Sequence, residues 1–235
     1  MPNYVRNRIS FEGDPNEISR MLESIQVEKY GIGSIDFNKI LPMPESLNIE
    51  AGSRTDEGLR MYQGYLHAKE QNQPTGKYLR YQTEHPENWE MGKQAYQNIQ
   101  KYGASTWFDW CVENWGTKWP ALQDDISVRE NELCFDTAWS FPNGIVEKLS
   151  RTYPKVVIMA EWADEDIGNN CGRAVYKNGK LIDGYFPTDQ KEAVEFAASV
   201  WEASPSDWNL HLSPDNSRYE YNDSLQHSER SEDAR

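Results

Sequence analysis

"NYVRNRISFEGDPNEISRMLESI", residues 3 to 25, changes its periodicity half-way along. Before Gly13, Val5, Ile9 and Phe11 share one face, and Arg6, Arg8 and Ser10 share the other. This is the period-two pattern of a half-buried strand. After Gly13, the residues Ile18, Met21, Leu22 and Ile25 recur at helical spacing. Asp14-Pro15 supplies an acidic N-cap with proline in the first turn, and Glu17 sits three residues after the cap, as in a capping box. A half-buried strand feeding an amphipathic helix predicts a sheet with helices layered on it.

Working outward, "KVVIMAEWA" (155–163) is nearly continuous in apolar residues, as a central strand is. Residues 172–186, centred on "VYKNGKLID" (175–183), read as a hairpin across Lys177-Asn178-Gly179-Lys180. "TDQKEAVEFAASVW" follows as a capped helix. "DDISVRENELCFDTAW" (124–139) reads as two strands about a turn at Asn131, and Pro142 opens a helix through Ile145, Val146 and Leu149. "GIGSIDFNKILPMP" (31–44) reads as a strand ended by Pro42 and Pro44. Between about 48 and 118 the pattern becomes helical with thin apolar stripes: Leu59, Tyr62, Tyr65 and Leu66, then Trp89 to Tyr102 after Pro86, then "STWFDWCVENWG". Without that insertion the order is β-α-β-β-α-β. The expected class is α+β, a ferredoxin-like antiparallel sheet with helices on one face and the other face free. Residues 1–203 form one domain on this reading. Residues 204–235, rich in Ser, Asp, Asn and Glu, form an acidic and mostly flexible tail.

The chain has 235 residues, with 24 basic and 38 acidic side chains and a net charge of −14. That field repels phosphate backbones, so general nucleic-acid binding is not expected, while a basic protein partner suits it. Three cysteines far apart, in no CxxC pair, suit a reducing cytoplasm. The start has no apolar signal-peptide core and no run approaches 18 apolar residues, so a cytoplasmic protein without a membrane anchor is expected. Composition leaves the oligomeric state open.

Four blocks carry a resemblance: "NRISFEGDP" near the start, "DFNKILPMPESL" at 36–47, "ENWGTKWPA" at 113–121 and "FDTAWSFP" at 135–142. Together they resemble the YubB or Api92-like ferredoxin-like family, from residue 3 to about 186, with the C-terminal helix and tail outside. The resemblance implies a ferredoxin-like fold without an iron–sulfur cluster, carried by phages, plasmids and other mobile elements. It implies no catalytic residues.

The densest candidate site is "ENWGTKWPA". Asn114, Trp115, Lys118 and Trp119 either staple the insertion by packing, or form a pocket wall whose rings stack a planar ligand while Lys118 meets a phosphate. Buried tryptophan is the commoner case, so packing is narrowly favoured. Trp139, at a strand end, is expected in the same cluster. Arg6, Arg8 and Arg173, with Lys118, form either a local anion site or ordinary cross-strand pairs with acids. Glu161, Asp164, Glu165 and Asp166 read as a solvated acidic loop; the rival is a metal-dependent hydrolase that holds its ion there. Cys171 reads as a small residue at a hairpin start, not as a reactive thiol. No histidine pair, P-loop or nucleophile motif occurs, so no metal, no cofactor and no catalytic residues are expected. The expectation is a non-enzymatic binding protein, an anti-defence protein that blocks a host protein, or one that sequesters a small nucleotide with an aromatic and cationic pocket.

Overall fold

The computed structural model describes residues 3–122 and 131–222. In chain order these form β1 (Tyr4–Glu12), α1 (Pro15–Ile25), α2 (Phe37–Ile40), α3 (Ser53–Glu70), α4 (Gly76–Glu84), α5 (Pro86–Tyr102), α6 (Trp107–Asn114), β2 (Glu132–Ala138), α7 (Asn143–Thr152), β3 (Val157–Asp164), β4 (Gly172–Lys177), β5 (Lys180–Tyr185), α8 (Gln190–Val200), β6 (Leu210–Leu212) and β7 (Tyr219–Tyr221). They fall into two compact units: residues 1–36 with 120–235, and residues 37–119.

The sheet unit is built on five strands in the order β2-β1-β3-β4-β5, every neighbouring pair antiparallel. β3 is the middle strand, as its apolar run predicts. β2, α7 and β3 make a split βαβ unit, with β1 lying antiparallel between the two parallel strands. Alternation along β1 holds as read: Val5, Ile9 and Phe11 are buried, while Arg6, Arg8 and Ser10 are half-buried on the reverse face. Asp14 caps α1, accepting from the Asn16 amide at 2.8 Å.

The buried face of β1 is shared, through the register, by Ile158 and then Tyr176. Tyr176 donates its hydroxyl hydrogen bond to Asn143 at the start of α7, so α7 lies on this face. α1 joins it, its Ser24 hydroxyl 2.8 Å from that of Tyr153 just past α7. The reverse face is not free. Ala163, opposite Arg6 in the register, clusters with Val194, Ala197 and Ala198 of α8 and with Leu210. The sheet is therefore covered on both faces, and the expectation of one open face is corrected. Small residues on both sides let that helix pack closely, and they leave no large apolar stripe to mark the face as covered.

Two other expectations are corrected. Residues 31–44 form no strand: Gly31 (φ +77°) and Gly33 (φ +101°) turn left-handed, and Phe37 and Ile40 bury together one helical turn apart in α2. Residues 204–222 are not a structureless tail. Ser204 and Asp207 form a capping box on a short 3-10 turn, β6 pairs with β7, and Leu210 enters the core beside Trp208 and Tyr219. Aromatic rings supply burial there that a count of aliphatics overlooks. The expected strand before Asn131 and the last part of the tail lie outside the described residues.

In the helical unit α3 and α5 form the main packed pair, and they cross where two glycines meet. A Cβ on Gly92 would lie 1.9 Å from the carbonyl carbon of Gly58, and one on Gly58 would lie 1.8 Å from the Asn88 carbonyl oxygen. Next to the crossing, Trp89 meets Tyr62 and Tyr65 edge-on at 5.3 and 5.6 Å. α4 adds Tyr81 to the interior; no strong apolar stripe marks this helix in the sequence.

Candidate functional site

The stretch 113–121 divides in two. Gly116, at φ +84°, ends α6 in the left-handed region. On the helical side of that stop, Trp115 is 1% exposed, and its indole N–H donates to the Leu41 carbonyl at 2.9 Å. Its ring sits edge-on to Phe37 and Trp110, at 5.6 and 5.7 Å between centroids. Asn114 donates to the Trp110 carbonyl one turn back. These two residues hold the helix and its core.

Beyond the stop, Lys118 and Trp119 line a cleft of about 560 Å³. Its other walls come from the start of α3 (Gly52, Asp56) and the start of α6 (Trp107, Phe108, Asp109). The Lys118 ammonium lies 4.7 Å from the Trp119 ring centroid and 5.6 Å from that of Phe108, within cation–π range of both. The Trp119 indole N–H is shielded from solvent and has no acceptor among the described residues. Both helix starts leave first-turn amides uncapped by side chains, because Gly52 has none and the Thr106 hydroxyl makes no cap bond. Asp109 accepts from the Ser105 hydroxyl at 2.8 Å.

One buried amide sets this wall. Asn98, 1% exposed, donates to the carbonyls of Ser46 (2.8 Å) and Ser105 (3.1 Å) and accepts from Ser46 and Gln94. All its hydrogen-bonding groups are used, so it fixes the backbone just ahead of α6. Asn98, Asp56, Trp107, Phe108 and Asp109 are not among the residues singled out from the sequence. A signal exists for two of them: Trp107 and Phe108 are adjacent, and both stand off the stripe that buries Trp110 and Cys111.

The remaining candidates belong to the sheet unit. Arg6 grips Asp136 with two hydrogen bonds (3.0 and 3.2 Å) and lies 4.5 Å from the Trp201 ring centroid. Arg8 pairs with Glu161 at 2.6 Å and reaches the Ser199 carbonyl. Arg173 is 3.7 Å from Asp183 and stacks toward Tyr185. Arg6 and Arg8 are thus committed to acids of the sheet unit, whereas the Arg173 Nε is shielded from solvent and has no hydrogen-bond partner among the described residues. Trp139 is a different case. It is 45% exposed at φ +69°, uncommon for a bulky residue, and is held by its amide to the Asn3 carbonyl and by Asn170 on its own carbonyl.

The acidic loop is likewise occupied by protein donors. Asp164 is buried and accepts from Asn3, Asn170 and the Asp166 amide, Glu165 accepts from the Tyr4 amide, and Asp166 accepts from Asn169. The carboxylates turn to separate partners and do not converge on one point. Burial pushes the Cys171 thiol up, and that of Cys111 up to about 12, so both are protonated near neutral pH.

A family profile described as the ferredoxin-like domain in Api92-like protein matches residues 114–204. Residues 114–204 are thus similar to the ferredoxin-like domain of the Api92-like family. The match takes in Lys118, Trp119, β2 to β5 and α7. It also takes in α8, which the resemblance carried by the four sequence blocks sets outside. Trp107, Phe108 and Asp109 precede it. Among solved structures, protein api92 from Yersinia pseudotuberculosis is similar at 11% identity and a TM-score of 0.36, over 80% of this chain and 99% of that one. No curated protein matches the sequence. The Api92-like description names a fold and no activity. No helix among the described residues is long and apolar enough to cross a membrane.

Proposed function

We propose that this protein is a non-enzymatic binding protein that takes a small planar ligand in the cleft of its helical unit. The observation that carries this reading is the grouping of Trp107, Phe108, Trp119 and Lys118 around about 560 Å³, a volume ordinary for small-ligand sites. Flat rings with a few charged groups among them bind by stacking and fix orientation by hydrogen bonds. The hydroxyl–carboxylate pair in the wall, Ser105 with Asp109, has no imidazole among the residues that line the cleft and is no activated nucleophile. The test is native mass spectrometry of protein purified from cells, together with Trp119→Ala. The native protein is expected to carry a small molecule that the variant loses with its melting temperature little changed. A bare wild-type protein that is also silent to planar compounds in tryptophan fluorescence would remove the reading.

A second reading rests on a different observation. Residues 37–119 carry nine basic and ten acidic side chains, so the acidic excess of the chain lies in the sheet unit. That unit also exposes Trp139, Ile182 and Phe186. An acidic surface with aromatic anchors suits a basic protein partner. In the mobile-element setting implied by the resemblance, that partner is a host defence protein which the chain blocks. Binding of this kind is expected to weaken steeply as salt rises from 50 to about 300 mM, whereas stacking in the cleft is expected to persist. Salt-insensitive capture of the protein partner would count against masking.

A further inference from the structure

We infer that the cleft selects a guanine base, presented as the free base or nucleoside and not as a polyphosphate. This rests on the small-ligand reading above and names its ligand class. The charges in the wall decide against a phosphate-rich ligand. Asp56 and Asp109 bring two carboxylates, and Lys118 brings one ammonium, already placed over two rings. The helix starts at Gly52 and Thr106 add about half a positive charge each, so the wall is close to neutral. A triphosphate would set several negative charges against that balance. The expectation that Lys118 meets a phosphate is therefore replaced by one in which it meets a base.

The hydrogen-bonding inventory narrows the base. An ionised carboxylate only accepts, through two parallel oxygens. Guanine is the standard base whose edge offers two adjacent donors, the ring N1–H and the 2-amino group. Adenine and cytosine each pair one donor with an acceptor on that edge, and uracil flanks its single N–H with two carbonyls. Guanine also presents O6 and N7, the acceptors that a lysine ammonium takes in base recognition. Its faces stack on tryptophan and phenylalanine. One aspartate, one lysine and the rings of Trp107, Phe108 and Trp119 thus match three distinct features of one base. Asp56 is exposed and has no side-chain partner among the described residues. Asp109 is exposed too and receives only the Ser105 hydroxyl. Either is available as the acceptor.

The test is calorimetric titration of the full chain with guanosine, adenosine, cytidine, uridine and GTP, repeated on Asp56→Asn, Asp109→Asn and Lys118→Gln. Guanosine is expected to bind on the order of tenfold tighter than the other nucleosides and tighter than GTP. One of the two asparagine variants is expected to abolish that preference with an unchanged melting temperature. Lys118→Gln is expected to weaken guanosine without changing the order of the other three. GTP binding more tightly than guanosine would overturn the inference, and so would both asparagine variants keeping the preference. If guanosine fails while another carried molecule is lost from Trp119→Ala, the guanine assignment falls and the cleft reading stands. If nothing binds and nothing is carried, both fall.

Discussion

Gly92→Val is expected to unfold the helical unit. At this position α3 and α5 touch backbone to backbone: a Cβ on Gly92 would lie 1.9 Å from the Gly58 carbonyl carbon and 2.3 Å from the Leu59 amide nitrogen. Those atoms cannot rotate aside as the end of a side chain can, so the helices must separate. Separation opens the layer that buries Trp89, Ala95 and Ala68 and breaks the ring contacts of Tyr62 and Tyr65 with Trp89. Overpacking by side chains alone costs about 1–3 kcal/mol. A backbone clash across the main helix pair belongs to the tail of the distribution, at about 4 kcal/mol or more. Gly76→Ala is the control, because a Cβ there meets nothing within 4 Å and the residue starts α4. It is expected to be neutral or slightly stabilising, since alanine is the better helix former. Thermal melts followed by far-UV circular dichroism decide the matter: a Gly92→Val protein that melts with Gly76→Ala refutes the close crossing.

The parts of the fold legible in the sequence are those where local chemistry and tertiary role agree. Val5, Ile9 and Phe11 alternate because one face of β1 is buried, Asp14 caps because its carboxylate accepts from the Asn16 amide, and Asn178-Gly179 turns the hairpin at positive φ. The parts that mislead are those where the signal is long-range. Gly58 and Gly92 look like weak points of two polar helices until the helices are set against each other. Asn98 looks like any polar residue on a helix, yet it is buried and ties Ser46 to Ser105. Residues 31–44 carry enough isoleucine and leucine to suggest a strand, and only the left-handed glycines exclude it. The cleft has the same origin, since its walls come from residues more than 50 positions apart.

Trp115→Ala is expected to cost about 3–5 kcal/mol, as a buried large-to-small change does. It also removes the donor to the Leu41 carbonyl, which leaves that acceptor without its partner in a part of the core shared with Phe37 and Trp110. Trp119→Ala, four residues on, is expected to cost less than half as much, because that ring is only half-buried and its N–H has no acceptor among the described residues. Lys118→Ala is expected to cost less than Trp115→Ala, since cation–π contacts such as those of Lys118 with two rings contribute about 0.5–1 kcal/mol each. Urea denaturation of the three variants measures the contrast, and equal losses for the two tryptophans would refute the division. The four-residue spacing suggests two rings on one helical face, but the helix ends between them. Gly116 turns the chain left-handed, so Trp115 closes the core of the helical unit while Lys118 and Trp119 are delivered to the cleft. The two readings of "ENWGTKWPA" are thus both physical, and each belongs to a different half of it.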